Sequence, residues 1–396
     1  MISKRIKEMT PSATVALSGK IADLKSQGIE IIGFNVGEPD FNTPDNIIKK
    51  GEEAYRLGMT RYTPAPGTLE LRKEICRKFK DDYGLDYNPK EVIVSNGAKQ
   101  SLINALMAIV DPGEEVIVPA PCWVSYVEMI KLADGIPVIV QMEEKNGFAL
   151  DVDKIAETIT EKTKAIMINS PNNPTGAVYS REDLLKLGKL AVEKDIMILS
   201  DEIYEKLIYE GGANVCMAAL SPEIKEKTIT INGVSKSYAM TGWRIGYAVG
   251  PQEIIKAMTD YQGHTTSGAN SPAQHASLEA LSNSADSVEM MRLEFDRRRK
   301  YIVERLNNME GIKCNMPKGA FYVMPNITSF YGKSNGDVVI NDSVDMANYL
   351  LEESKIAVVP GVAFEAPDNL RISYSNSIEN IEEGMNRMEE ALKKLK

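Results

Sequence analysis

From Glu91 onward, short apolar runs alternate with helix-length segments, and this alternation restricts the fold more than any other property of the chain. The runs fall at 92–94, 116–118, 137–140, 165–168, 196–199, 228–231 and 245–249. Each is too apolar for a strand with one wet face, so each reads as a strand covered on both sides. Strands that alternate with helices in this way build a largely parallel α/β sheet. Further helices are expected at 18–27, 44–57, 68–81, 288–307 and 378–395. The segments PKGAFYVMP and KIAVVPGVAFEAPDNLRISYS read as strands of a smaller α+β unit.

Ligands of such sheets gather beyond the carboxyl ends of the strands, so the polar residues that end the apolar runs are the ones to weigh. After Val94, SNGAKQ places Gly97, Ala98 and Lys99 at the start of a helix, where free N–H groups suit a phosphate; a glycine there also serves an ordinary turn. PAPCWVSY brings Trp123, either core packing or a stacking platform. NSPNNPTG offers the amide of Asn173 or is simply a turn. SDEIYEKLIY carries Asp201 and Tyr204; a carboxylate so close to an apolar run is an exposed helix cap, or else it needs a cationic partner.

The run TITI leads into NGVSKSYAMTGWRIGY, residues 232–247. Most lysines are solvated, but Lys236 stands among small residues (Gly233, Ser235, Ser237), with the anion-binding fork of Arg244 eight residues on. An amine beside an anion anchor suits a Schiff base to an aldehyde cofactor that carries a phosphate. Near the amino end, Ser12 and Thr14 read as turn or cap residues, and Gly37 either serves a turn or lets a ligand approach the backbone. Tyr62, in a Pro/Gly loop, is a packing plug or a phenol that reaches a phosphate across a subunit boundary. Arg371 is either an edge-strand arginine in water or a fork for a carboxylate.

Composition removes several classes of function. The net charge of −10 argues against nucleic acid as a partner. No apolar run approaches a membrane span and residues 1–10 lack a signal-peptide core, so a cytoplasmic protein is expected. The four cysteines lack metal spacing and read as buried free thiols, so no metal site is expected. Two histidines, His264 and His275, make a Ser-His-Asp hydrolase improbable and leave proton transfer to another group.

Taken in order, SNGAKQ, PCWVSY, NSPNNPTG, SDEIYEKLIY, NGVSKSYAMTGWRIGY and NLRISYS resemble the class I aminotransferases of pyridoxal 5'-phosphate (PLP) fold type I. PSATVAL, GEPDF and VVPGVAF point to the bacterial and archaeal aspartate aminotransferase branch, and the resemblance spans essentially the whole chain. It implies a mostly parallel seven-stranded sheet in a large domain, 46–285, with a smaller α+β domain formed by 286–396 together with part of 1–45. It further implies a homodimer with active sites shared across the interface.

Carried over position by position, the resemblance makes Lys236 the Schiff-base lysine and proton carrier, pairs Asp201 with the pyridine nitrogen, and sets Tyr204 and Asn173 on the ring oxygen with Trp123 stacked on the ring. Gly97, Ala98, Lys99 and Arg244 would hold the phosphate, joined by Tyr62 of a neighbouring subunit. Gly37, Asn173 and Arg371 would hold the substrate α-carboxylate, while Lys99 with Ser12 and Thr14 would take the distal one. The implied reaction moves an amino group from an L-amino acid, aspartate or glutamate, to 2-oxoglutarate or oxaloacetate by a ping-pong path. An aromatic or branched-chain aminotransferase, or a PLP-dependent lyase, is the alternative on the same fold; a regulator's sensor domain is a remote one. Two positions depart from relatives: Gly233 replaces a serine that binds phosphate, with Ser235 a substitute, and Thr10 stands where relatives that also use prephenate carry a basic residue.

Overall fold

Seven strands form where the apolar runs predict them: β1 Val92–Ser95, β2 Glu115–Ala120, β3 Ile136–Gln141, β4 Thr163–Asn169, β5 Met197–Asp201, β6 Thr228–Gly233 and β7 Gly246–Val249. They make one sheet in the order β1-β7-β6-β5-β4-β2-β3. The computed structural model describes residues 2–7, 9–10 and 13–396, without the side chains of 5, 13–16, 18, 20 and 25. Every residue of β1, β6 and β7 is buried, as strands covered on both faces require. Only β7 runs against its neighbours, pairing antiparallel with both β1 and β6. The carboxyl ends of the other strands therefore meet the amino end of β7 along one edge, where Asn169 pairs with Asp201 and Gly246 pairs with both Ser95 and Gly233.

Helices cover the sheet, among them α1 Ala98–Ile109, whose Leu102, Ala105 and Leu106 pack on Ile93, Ile229 and Ala248. A second core gathers α2 Ala285–Asn307 and α3 Ile378–Lys393 over a three-stranded antiparallel sheet of β8 Tyr322–Val323, β9 Val359–Pro360 and β10 Leu370–Ser373, with β10 in the middle. Ile203, Tyr204 and Leu207, which follow β5, are packed in this second core. The chain just beyond the sheet edge is thereby tied to the segment 286–396, so the edge forms the wall between the two cores.

One boundary departs from expectation. The first long helix covers Ala13–Ser26, so Thr14 lies within a helix and not in a turn. Leu17, Ile21 and Leu24 give it a stripe that packs on Ile31, Leu351 and Ala357, and this burial outweighs the β-branched residues near its start. No helix among the described residues is long and apolar enough to cross a membrane. The four cysteines are free, three of them buried.

Candidate active site

The sheet edge opens into a cavity of about 470 Å³ lined by Gly37, Ala98, Lys99, Trp123, Asn173, Asp201, Tyr204, Ser235, Lys236, Arg244 and Arg371, with Asn35, Tyr126 and Tyr322 among the others. Two glycines behind this lining set the positions of Ala98 and Arg244. Gly97 caps α1 at φ +83°, and a Cβ built there would stand 2.3 Å from Nη2 of Arg244. A Cβ on Gly246 would meet the amide nitrogen of Ala98 at 2.1 Å. Both positions thus need glycine: one lets the Arg244 guanidinium rest on the helix cap, the other lets the start of α1 sit directly on β7. Arg244 itself takes a left-handed conformation, φ 58°, and donates to the Thr241 and Asn96 carbonyls at 2.9 and 3.2 Å. Unpaired N–H groups at the start of α1 beside this guanidinium make a basin for a dianion.

Asp201 ends β5 and is 4% exposed, which removes the reading of an exposed cap. The Tyr126 hydroxyl donates to its Oδ2 at 2.7 Å and the Ile203 N–H to its Oδ1 at 3.2 Å. Burial nevertheless pushes its carboxyl up to about 6, against the pull of these hydrogen bonds and of Lys236. Such a carboxylate calls for a cation. Lys236 is largely buried, and its Nζ donates to the Gly37 carbonyl at 2.6 Å. Burial lowers its ammonium to about 8; Arg244 and Arg371 push in the same direction while Glu38 and Asp201 oppose. The amine can therefore lose its proton close to neutrality, as a nucleophile or base requires.

Arg371 lies on the central strand β10 and is 2% exposed, so it is not an edge arginine in water. One Nη donates to the Asn35 carbonyl and the other to Oδ1 of Asn173 at 3.5 Å, while Nε has no partner among the described residues. A buried guanidinium with unused donors suits an incoming carboxylate. Asn173 is itself fixed by its N–H, which donates to Asn169 Oδ1 at 2.7 Å. Trp123 stands edge-on to Tyr126, with ring centres 5.5 Å apart, and Nζ of Lys99 lies 4.6 Å from the Trp123 ring centre. Burial and Arg244 together lower the Lys99 ammonium.

The remaining predicted residues divide. Ser235 is buried and lines the cavity. A Cβ on Gly233 would press at 3.0 Å on the backbone of Ile245 and Gly246, so a serine there needs β7 to give slightly. Tyr62 lies outside the cavity and is 98% exposed, hence no packing plug. Ser12 lies outside the described residues, as does the side chain of Thr14. Sequence reasoning missed Tyr126, Asn35 and Tyr322. Tyr126 had one signal: it stands three residues beyond Trp123, in the first turn of the helix Ser125–Leu132 that follows it.

The chemistry of this donor set fits a phosphorylated pyridine aldehyde: a dianion basin, an amine that deprotonates near neutrality, and a buried acid lacking a cation. On this sheet, these groups define a PLP-dependent enzyme of fold type I. The pattern of the aminotransferases of class I and II matches residues 29–388, and the chain belongs to that family. Among its relatives, the aspartate aminotransferase of Geobacillus stearothermophilus is 47% identical over 98% of each chain. The solved aspartate aminotransferase of Thermus thermophilus with maleate is 43% identical, with TM-score 0.93 and 99% of each chain covered. That of Rhizobium meliloti is 39% identical, with TM-score 0.96 and full coverage of both. The chain is thus a PLP-dependent aminotransferase, acting on amino acids and 2-oxo acids.

Proposed function

We infer that the enzyme transfers the amino group of aspartate or glutamate to 2-oxoglutarate or oxaloacetate, as a cytoplasmic homodimer. The observation that carries this reading is one cavity holding two cationic anchors of different kinds, the buried fork of Arg371 and the amine of Lys99. Substrates with two carboxylates match that pair. The relatives named as aspartate aminotransferases over nearly the full chain length support it.

Bound PLP supplies an electron sink for the pair left when a proton departs from the substrate Cα. Gly97, Ala98, Lys99, Ser235 and Arg244 would hold its phosphate, joined by Tyr62 from the partner subunit. Asp201 keeps a proton on the ring nitrogen, for which its buried charge is suited. Tyr204 and Asn173 would orient the ring oxygen, and Trp123 would cover the ring face. Arg371, the Gly37 backbone and Asn173 fix the substrate α-carboxylate, which sets the Cα–H bond toward Lys236. Lys236 Nζ would anchor the cofactor, and the same amine would take the Cα proton. Lys99 takes the distal carboxylate. Residues 46–285 serve as the large domain, and 286–396 with part of 1–45 as the smaller one.

A screen of single donors against single 2-oxo acids tests this reading. Aspartate and glutamate should be preferred donors; a preference for tyrosine or leucine, or ammonia release without an acceptor, would overturn it. Arg371→Lys keeps a charge but loses the planar fork, and kcat/KM should fall on the order of 10- to 100-fold, mostly through KM. Steady-state kinetics with aspartate check this.

A further inference from the structure

Arg371 is held by faces as well as by hydrogen bonds. Its guanidinium carbon lies 4.9 Å from the Tyr322 ring centre and 5.0 Å from that of Phe364, so the plane of the fork depends on where these rings sit. Phe364 is locked in the core. Tyr322 is fully buried too, but it carries a hydroxyl, and that hydroxyl has a specific partner: it shares a hydrogen bond of 2.8 Å with the hydroxyl of Tyr204. The two rings also meet edge-on, with centres 5.8 Å apart. On the third side stands Gly37, where an added Cβ would come within 2.7 Å of the Tyr322 hydroxyl and 3.8 Å of an Arg371 nitrogen. The Tyr322 hydroxyl therefore sits at the meeting point of the carboxylate fork, the carbonyl-bearing turn at Gly37 and the phenol that faces the cofactor.

We propose that Tyr322 is a positioning residue that couples the two halves of the site: through its ring it sets the plane of Arg371, and through its hydroxyl it is tethered to Tyr204. The proposal rests on the reading of Arg371 as the carboxylate fork and of Tyr204 as a cofactor contact. Its physical content is mutual dependence. Loss of the hydroxyl leaves the ring in place against Arg371 but frees it to rotate, so the fork loses its fixed plane. Loss of the Tyr204 hydroxyl frees the same ring from the other side. Tyr322 touches neither reacting atoms nor the transferred proton; it acts through its two neighbours.

The test is a double-mutant cycle on the PLP-loaded, full-length enzyme, with maleate as a dicarboxylate that has no amino group to transfer. Tyr322→Phe and Tyr204→Phe should each weaken maleate binding, measured by calorimetry, roughly three- to tenfold. The double variant should bind within about twofold of the weaker single variant, since both substitutions cut one tether. Tyr322→Phe should also move the pH midpoint of the bound cofactor's absorbance by roughly half a unit, and leave it unmoved in the Tyr204→Phe background. A mere packing role would predict no spectral change. Losses that multiply in the double variant, or Tyr322→Phe binding maleate as the parent does, would overturn the coupling while leaving the fork in place. If Arg371→Lys binds maleate as tightly as the parent, the underlying reading fails and the coupling with it.

Discussion

Lys236→Ala should lower turnover by roughly four orders of magnitude or more, because one amine carries two separate duties. On the proposed reading it would both anchor the cofactor and take the Cα proton; positioned bases contribute about 10²- to 10⁴-fold, and correct placement adds to this. No neighbour can replace it. Lys99 lies against the Trp123 ring and is set beside Arg244, while the guanidinium of Arg244 is held by the Thr241 and Asn96 carbonyls and that of Arg371 by the Asn35 carbonyl. The environment that lowers the Lys236 ammonium to about 8 is burial reinforced by those two arginines. Borohydride reduction of the parent enzyme, followed by intact-mass measurement, should leave one cofactor equivalent attached, and none in the variant. Turnover within tenfold of the parent would sink the assignment. The Gly37 carbonyl loses its 2.6 Å donor in the variant, a smaller cost that shows in melting temperature and is separable from the kinetic loss.

How much of this was legible before any coordinates depends on the range over which each residue's role is set. The seven strands were readable because burial on both faces writes itself into consecutive apolar residues, and β1 and β6 start at the residues expected. Asp201, Asn173 and Lys236 drew attention because they follow the ends of such runs, where ligands of the sheet gather, although a cap, a turn and a solvated lysine explained them equally well until the motifs were taken together. The helix at Ala13–Ser26 was set too late and too short, since its packing partners Leu351 and Ala357 lie over 300 residues away and leave no local mark. Tyr322 and Tyr126 were invisible for a related reason. A tyrosine in or beside a strand reads as an apolar filler, and only contacts across 118 and 75 residues, to Tyr204 and Asp201, give their hydroxyls meaning. Arg371 stayed ambiguous from sequence because edge and centre of a short sheet cannot be told apart in NLRISYS; the pairing of β10 on both sides decides it.

Asp201→Asn carries the other large effect, and its sign should reverse between function and stability. The buried carboxyl of the cofactor-free protein is raised to about 6 from an ordinary 3.8, so the folded state holds its proton more tightly than the unfolded chain. Its contribution to folding is therefore complete below about pH 4 and is lost as pH rises through 6. At pH 7.5 the charged side chain is a net burden on the empty protein. Asparagine removes the charge and still meets both neighbours, its amide accepting from the Ile203 N–H and donating to the Tyr126 oxygen. Without cofactor, the variant should be more stable than the parent at pH 7.5 by on the order of 1–3 kcal/mol, with the advantage growing between pH 4 and about 6.5 and constant above. Melting curves of the stripped proteins across that range measure it. With PLP restored the order should invert, because the parent alone gains a charge-paired ring nitrogen, and turnover of the variant should fall by about 10²- to 10³-fold or more. A variant that melts below the parent when both are empty would show that the carboxylate is satisfied by Tyr126 and Ile203, and that the buried charge is not held in readiness for the cofactor.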